Sequence, residues 1–134
     1  MDWKYNCPKC TAILNPDKQI ILLGRHKGRD ILLALHPEPG NYEVTIPYNA
    51  EINEGEFWEF FCPVCHETTT LAEEPSLATL DMTDGKGEWH QVVFSRIAGE
   101  HATFIITKGP EKLIVEKLGS DLAKYEHCLW HKYF

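Results

Sequence analysis

Short apolar runs alternate with polar turns along the second half of the chain, which is the pattern of consecutive antiparallel strands. Three such runs are Leu77–Met82, Trp89–Arg96 and His101–Thr107. The segments between them, residues 83–87 and 98–100, carry glycine and acidic residues that favour tight turns. The pattern predicts a β-meander.

The C-terminal part of the chain combines a further strand with a short helix. Glu111–Leu118 contains apolar residues that favour a strand and Glu and Lys residues that favour a helix, and we expect a strand. Ser120 is a suitable N-cap for a helix that follows it. Leu122, Tyr125 and Leu129 fall on one face of that helix by their spacing.

The first half contains two apolar runs, Gln19–Leu23 and Asp30–Leu35, on either side of the glycine-bearing loop 24–29. This arrangement predicts a β-hairpin. The runs are continuously apolar instead of alternating, so we expect both of their faces to be covered. Tyr42–Ile46 and Phe57–Phe61 are predicted as further strands. The predicted fold class is therefore mostly β with a minor α part.

Four cysteines form two CPxC units, Cys7-Pro8-Lys9-Cys10 and Cys62-Pro63-Val64-Cys65. Two residues between cysteines allow one tight turn to direct both sulfurs at a single ion, and proline presets the backbone of that turn. Two such turns facing each other provide the tetrahedral set of four thiolates that zinc prefers, with iron as the alternative. The spacing therefore predicts a metal site built from Cys7, Cys10, Cys62 and Cys65.

Other cysteine chemistry remains open at the level of the sequence. Disulfide bonds would require an oxidising compartment, to which nothing in the sequence points. A dithiol redox motif normally stands alone near a βαβ pattern. Residues 62–66 also spell the CxxCH attachment motif of c-type haem, although that assignment leaves Cys7 and Cys10 without a role.

The paired CPxC units resemble those of zinc ribbons and rubredoxin-like modules. Their wide separation, with residues 11–61 between them, is more similar to the bacterial domains named for a CPxC motif. Many zinc ribbons and rubredoxins have glycine after the second cysteine of each unit, whereas this chain has Thr11 and His66. The resemblance covers at most the first half of the chain and implies metal binding with no defined activity. It rests on Cys7, Pro8, Cys10, Cys62, Pro63 and Cys65.

A site closed by four thiolates typically has a structural role, since a catalytic zinc ion keeps one position open for water or substrate. We therefore expect a non-enzymatic, zinc-stabilised module that binds or regulates another protein. One alternative is a rubredoxin-like electron carrier in which the same thiolates hold iron. Another is an enzyme whose site lies in the C-terminal half and uses His90, His101 or the pair His127 and His131. His90 and His101 lie at opposite ends of neighbouring predicted strands and are not expected to meet.

The polar, proline-containing segment 72–76 is the best candidate for an internal boundary. It separates a predicted zinc-knuckle β subdomain, residues 1–75, from a β-meander with the C-terminal helix, residues 76–134. A chain of 134 residues is the usual size of one domain, so we expect the two parts to pack together.

The formal net charge of −7 disfavours a general affinity for nucleic acid, which requires clustered cations facing phosphates. Arg25, Lys27 and Arg29 form the one basic cluster, which we expect to be a solvated hairpin end, with an anion or RNA contact as the alternative. No apolar signal region precedes Cys7, and the apolar runs are far shorter than a membrane span. We expect a cytoplasmic protein with no membrane partner.

Further candidate groups lie in the second half of the chain. His127 and His131 have a zinc-binding spacing, but the glutamate that serves as base in metalloproteases is missing beside them. Cys128 has no partner left over from the four-cysteine site and is expected to be a buried free thiol. A catalytic role is a further hypothesis for the carboxylates near one turn, Asp81, Asp84 and Glu88.

Overall fold

The computed structural model describes residues 3–109 and 113–125, which form nine β-strands in two antiparallel sheets. One sheet contains β1 (Lys4–Asn6), β6 (Leu77–Thr83), β7 (Trp89–Ser95), β8 (Thr103–Lys108) and β9 (Leu113–Leu118), in that order. The other contains β2 (Ile20–His26), β3 (Arg29–Leu35), β4 (Val44–Thr45) and β5 (Glu59–Phe61), in the order β4-β3-β2-β5. Residues 123–125 are helical, so the predicted class of mostly β with a minor α part is confirmed.

The meander predicted for the second half is present, because β6, β7, β8 and β9 each pair antiparallel with the next strand along the chain. The ambiguous stretch Glu111–Leu118 contributes β9, which pairs along the whole length of β8 from Leu113 to Leu118. Pairing with a buried neighbour therefore decides the conformation that local propensity left balanced.

Both faces of the five-stranded sheet are covered, so successive residues of its strands enter different cores. Leu80 and Val92 belong to the core between the two sheets, whereas Val93 belongs to a second core on the opposite face. Tyr125 packs in this second core and is 2% exposed. Leu122 and Tyr125, two residues of the predicted helix face, thus pack against this side of the sheet. Leu129, the third, lies outside the described residues.

Strands β2 and β3 form the predicted hairpin, but its turn is shorter than the predicted loop. Only Lys27 and Gly28 turn the chain, with φ angles of 50° and 77°, the left-handed backbone of a two-residue hairpin turn. Gly24 lies inside β2, where a Cβ atom would meet Leu33 at 2.7 Å and Trp58 at 3.2 Å. This glycine therefore makes room for neighbouring side chains and does not mark a turn.

Two predicted strands are shorter than expected because some of their residues join the two sheets. Of Tyr42–Ile46, only Val44 and Thr45 pair as β4, while the Tyr42 hydroxyl lies 2.9 Å from the hydroxyl of Thr103 in the other sheet. Of Phe57–Phe61, only Glu59–Phe61 form β5, and Phe57 forms an isolated bridge with Ile97.

The two CPxC units are attached to different sheets. Strand β1 pairs with β6 and leads into Cys7, whereas β5 pairs with β2 and leads into Cys62. Both cysteines belong to the core between the sheets, together with Tyr5 and Leu22. Strand β1 lies in residues 1–75 but pairs with a strand from residues 76–134, so the N-terminal segment is part of the second-half sheet.

Candidate metal centre

The first CPxC unit is a tight turn closed by hydrogen bonds to its first cysteine. The backbone N–H groups of Lys9 and Cys10 donate to Sγ of Cys7 over 3.4 and 3.5 Å. The Thr11 N–H donates to the Cys7 carbonyl oxygen over 3.0 Å. These three hydrogen bonds fix the backbone of the turn around the first cysteine.

The second CPxC unit repeats this arrangement after β5. The N–H groups of Val64 and Cys65 donate to Sγ of Cys62 over 3.3 and 3.5 Å. The His66 N–H donates to the Cys62 carbonyl oxygen over 2.9 Å. The two turns therefore have matching backbone hydrogen bonds although their side chains differ.

The residue after the second cysteine is left-handed in both units, with φ of 65° at Thr11 and 63° at His66. These are the positions at which many zinc ribbons and rubredoxins have glycine. A left-handed backbone costs an ordinary L-residue roughly 1–2 kcal/mol, and a β-branched residue such as Thr11 is an uncommon occupant. Thr11 and His66 therefore adopt the left-handed backbone of this turn although neither is glycine, the residue that adopts it most easily.

The four sulfurs form a compact set between the two turns. Sγ of Cys7 lies 3.7 Å from Sγ of Cys65, and Sγ of Cys10 lies 3.7 Å from Sγ of Cys62. All four sulfurs lie within 4.8 Å of one another. Sulfurs placed about 2.3 Å from an ion at the centre of a tetrahedron are about 3.8 Å apart, whereas disulfide sulfurs are about 2.05 Å apart. The four free cysteines therefore match a tetrathiolate metal site and not a pair of disulfides.

The site has a buried side and an accessible side. Cys7 and Cys62 are 1% and 0% exposed, whereas Cys10 and Cys65 are half-buried. Val64, in the second turn, is 65% exposed. An ion can therefore enter from the outer side, while four protein donors would leave no coordination position for water or a substrate.

The protonation of Cys65 shows why a cation suits this cluster. The Glu67 backbone N–H lowers the pKa of the Cys65 thiol, but burial and the sulfurs of the other three cysteines raise that pKa to about 12. The Cys65 thiol would therefore retain its proton in the absence of a positive charge. A divalent ion reverses this balance, because it binds thiolates and releases their protons.

A second group of ionisable side chains lies at the β6–β7 hairpin, where ligand atoms of Asp84, Glu88 and His90 are within 4.8 Å of one another. Oδ2 of Asp84 lies 2.9 Å from Nε2 of His90. Oδ1 of Asp84 accepts the N–H groups of Lys86 and Glu88 over 2.9 and 3.0 Å. Hydrogen bonds from His90 and then from the Glu88 backbone hold the pKa of Asp84 below its usual range. Both oxygens of Asp84 are thus engaged in closing the hairpin.

Asp81 stands apart from this hairpin group, and burial raises the pKa of its carboxyl. The Thr107 hydroxyl lies 2.6 Å from Nδ1 of His90, a contact that no sequence motif indicated. Extending the register of Gln91 with Ile106 by one residue places His90 opposite Thr107, so a correct prediction of this strand pairing would have found the contact.

His90 and His101 have separate neighbours, in agreement with their predicted positions. The His101 ring stacks on Tyr42 with centroids 4.3 Å apart and an interplanar angle of 2°. Its backbone N–H donates to Asp121 over 2.9 Å. The two histidines therefore do not form one site. The other candidates of this half, His127, Cys128 and His131, lie outside the described residues.

The basic cluster at the β2–β3 turn is partly neutralised within the hairpin. Nε of Arg25 lies 2.7 Å from Oδ1 of Asp30, and the guanidinium of Arg25 lies 4.7 Å from the centre of the Phe61 ring. Because Arg25 pairs with Asp30, Lys27 and Arg29 are the remaining cations of the turn. Two positive charges provide little affinity for the phosphate backbone of a nucleic acid.

Comparisons of the chain with protein-family models, curated proteins and solved structures give no match. Within residues 3–109 and 113–125, no helix has the length and apolar character needed to span a membrane. The assignment of the metal centre therefore depends on the arrangement of this chain's own cysteines.

Proposed function

We propose that Cys7, Cys10, Cys62 and Cys65 hold one zinc ion in a closed structural site, and that the ion stabilises a non-enzymatic module that binds another protein. The observation that carries the proposal is the spacing of the sulfurs, with contacts of 3.7 Å between the two units. This spacing matches a tetrahedron, and the two units come from different sheets.

A zinc ion at this position would connect the two sheets of the fold. The unfolded chain does not hold the two units near each other, so the free energy of zinc binding becomes free energy of folding. That contribution is on the order of 10 kcal/mol for a structural zinc site. It is as large as the whole stability of a typical domain, which is about 5–15 kcal/mol.

The outer face of the four-stranded sheet supports the protein-binding part of the proposal. Leu23 lies beside both Leu32 and Phe61 on this face. Ile21 lies on the same face because it is two residues before Leu23 in β2. Leu32 is 55% exposed and the other three are half-buried, so the expectation that both faces of β2 and β3 are covered is wrong for the described part of the chain. Neighbouring apolar side chains that remain accessible to solvent favour contact with another macromolecule.

Elemental analysis of the purified protein, together with its absorbance spectrum, tests the metal part. We expect one zinc ion per chain and no visible colour. Bound iron and a red protein would instead support the electron-carrier alternative, since ferric tetrathiolate absorbs visible light. A folded protein that contains neither metal, and takes up none when zinc is added, would contradict the proposal.

Paired substitutions test the protein-binding part. Leu32→Asp places a charge on the outer face of the four-stranded sheet, and Ile114→Asp makes the same change on β9 at a side chain that is 54% exposed. We expect a partner captured from cell extract by the wild-type protein and by Ile114→Asp to be lost with Leu32→Asp. If every captured protein binds all three forms equally, this face is not the binding surface.

A further inference from the structure

An apolar cavity of about 190 Å³ lies between the two sheets, away from the four cysteines. Residues 36, 38–44 and 95–101 also line the cavity, which is partly open to solvent. Its walls combine three side chains of the four-stranded sheet with three of the five-stranded sheet, namely Leu33, Leu35, Phe60, Leu80, Val92 and Phe94.

The cavity is larger than the gaps that remain in an ordinary core, because protein interiors are packed as densely as organic crystals. Leu35, Phe60 and Phe94 belong to the core between the sheets, yet each remains half-buried. These side chains line a space that holds no atoms of residues 3–109 and 113–125. A molecule that filled this space would recover the missing dispersion contacts.

The buried polar side chains that line the cavity already have partners within the protein. The Tyr5 hydroxyl donates to the Pro37 carbonyl oxygen, and the Tyr42 hydroxyl bonds Thr103 and Leu118. In the described part of the chain, no buried side-chain nitrogen or oxygen lacks a hydrogen-bond partner. A polar group of a ligand placed deep in the cavity would therefore lose its water without gaining a partner.

The charges around the cavity disfavour an anionic ligand. The Glu38 and Glu43 side chains are exposed on the loop that lines it. The guanidinium of Arg96 is the buried cation nearby, and it donates to the backbone carbonyl oxygens of Trp58 and Pro75. A carboxylate would thus meet the carboxylates of Glu38, Glu43 and Glu100, and a cation that already uses two of its five N–H donors within the protein.

We infer that this cavity binds a small, neutral, apolar molecule about the size of one substituted aromatic ring. An apolar cavity of about 150 Å³ is large enough to bind benzene, and apolar walls with satisfied polar groups hold water poorly. The cavity is a separate site from the metal centre, because none of the four cysteines lines it.

A methyl NMR titration of the metal-loaded full chain tests this inference with two matched probes, toluene and benzoate. We expect toluene to shift the methyl signals of Leu35, Ile52 and Val92 saturably, with a Kd on the order of 0.1–1 mM for a ligand of this size. The Ile114 methyl signals, on β9, should not move. Benzoate, which has the same ring with a charge, should bind at least about tenfold more weakly. Absence of saturable shifts up to the solubility of toluene, or equal binding of benzoate, would overturn the inference.

A cavity-filling substitution supplies the second test. Ile52 lines the cavity from a loop, so Ile52→Trp should abolish the toluene shifts, whereas Ile114→Trp makes the same change on an exposed strand position and should retain them. Circular dichroism and zinc content of each variant separate loss of the cavity from loss of the fold or the metal. Leu35→Phe fills less of the cavity and should weaken the toluene shifts. Toluene binding that persists in a folded filling variant would show that the ligand binds elsewhere. If neither variant folds, the titration of the wild-type protein is the test of the inference.

Discussion

The sulfurs of Cys7 and Cys65 lie 3.7 Å apart although 58 positions separate the two residues along the chain. Cys7 follows β1 of the five-stranded sheet, and Cys65 ends the turn that follows β5 of the four-stranded sheet. Hydrogen-bonded pairing holds each sheet together internally. The cysteine cluster is a point at which the ends of the two sheets meet, so a bound ion would act on the packing of one sheet against the other.

Cys62→Ser should remove the ion and unfold at least the first half of the protein at room temperature. The expected loss is large because the free energy of a structural zinc site, on the order of 10 kcal/mol, is comparable with the stability of a whole domain. Val64→Ser is the control, since it changes an exposed side chain of the same turn. Zinc content and thermal unfolding measure both variants. An unchanged melting curve in Cys62→Ser would show that the fold does not depend on the metal.

Thr11→Gly should stabilise the metal-loaded protein by roughly 0.5–1 kcal/mol, because glycine adopts a left-handed backbone without the steric cost that a β-branched residue has. The φ angle of Thr11 is 65°. Thr45→Gly provides the opposite control, since Thr45 lies in β4 and glycine weakens a strand. Urea unfolding in the presence of zinc measures both free energies. A loss of stability in Thr11→Gly would mean that its side chain contributes more than its backbone costs.

Asp84→Asn should reduce the loss of stability on acidification. The His90 hydrogen bond and the Glu88 backbone N–H keep the pKa of Asp84 below its ordinary value of 3.8 in the folded protein. A lowered folded pKa gives stability that is present above pH 3.8 and is lost as the pH falls below that value. The variant should therefore be less stable at neutral pH, and its free energy of unfolding should change less with pH below pH 3.8. Urea unfolding at a series of pH values measures this, with Glu88→Gln as the control in the same hairpin.

Tyr5→Phe should reduce the loss of stability in alkali. Burial raises the pKa of Tyr5 well above its ordinary value of 10.0. A raised folded pKa gives stability that is complete below pH 10.0 and is lost as the pH rises above it, because only the unfolded chain then ionises. The variant also loses the hydrogen bond to Pro37, which costs about 1 kcal/mol at neutral pH. Tyr48→Phe is the control, since Tyr48 is fully exposed. If the alkaline unfolding curve of Tyr5→Phe matches that of the wild type, Tyr5 ionises freely in the folded protein.

Local patterns in the sequence were sufficient to predict most of the strands. The meander of the second half follows from apolar runs separated by turn residues, and these interactions act between neighbours along the chain. The β2–β3 hairpin was predicted, but its turn was placed too broadly. Gly24 has the same appearance in a sequence whether it turns the chain or makes room for Trp58, and only packing distinguishes the two roles.

The sequence by itself determined the mostly β class and the four candidate metal ligands, because both depend on residue types at short spacings. Only the tertiary structure decided that the two CPxC units belong to different sheets and that His90 bonds Asp84 and Thr107. It also decided that a cavity remains between the sheets. These relationships join residues that are distant along the chain, and their geometry depends on how whole sheets pack, a property that no local pattern of residues encodes.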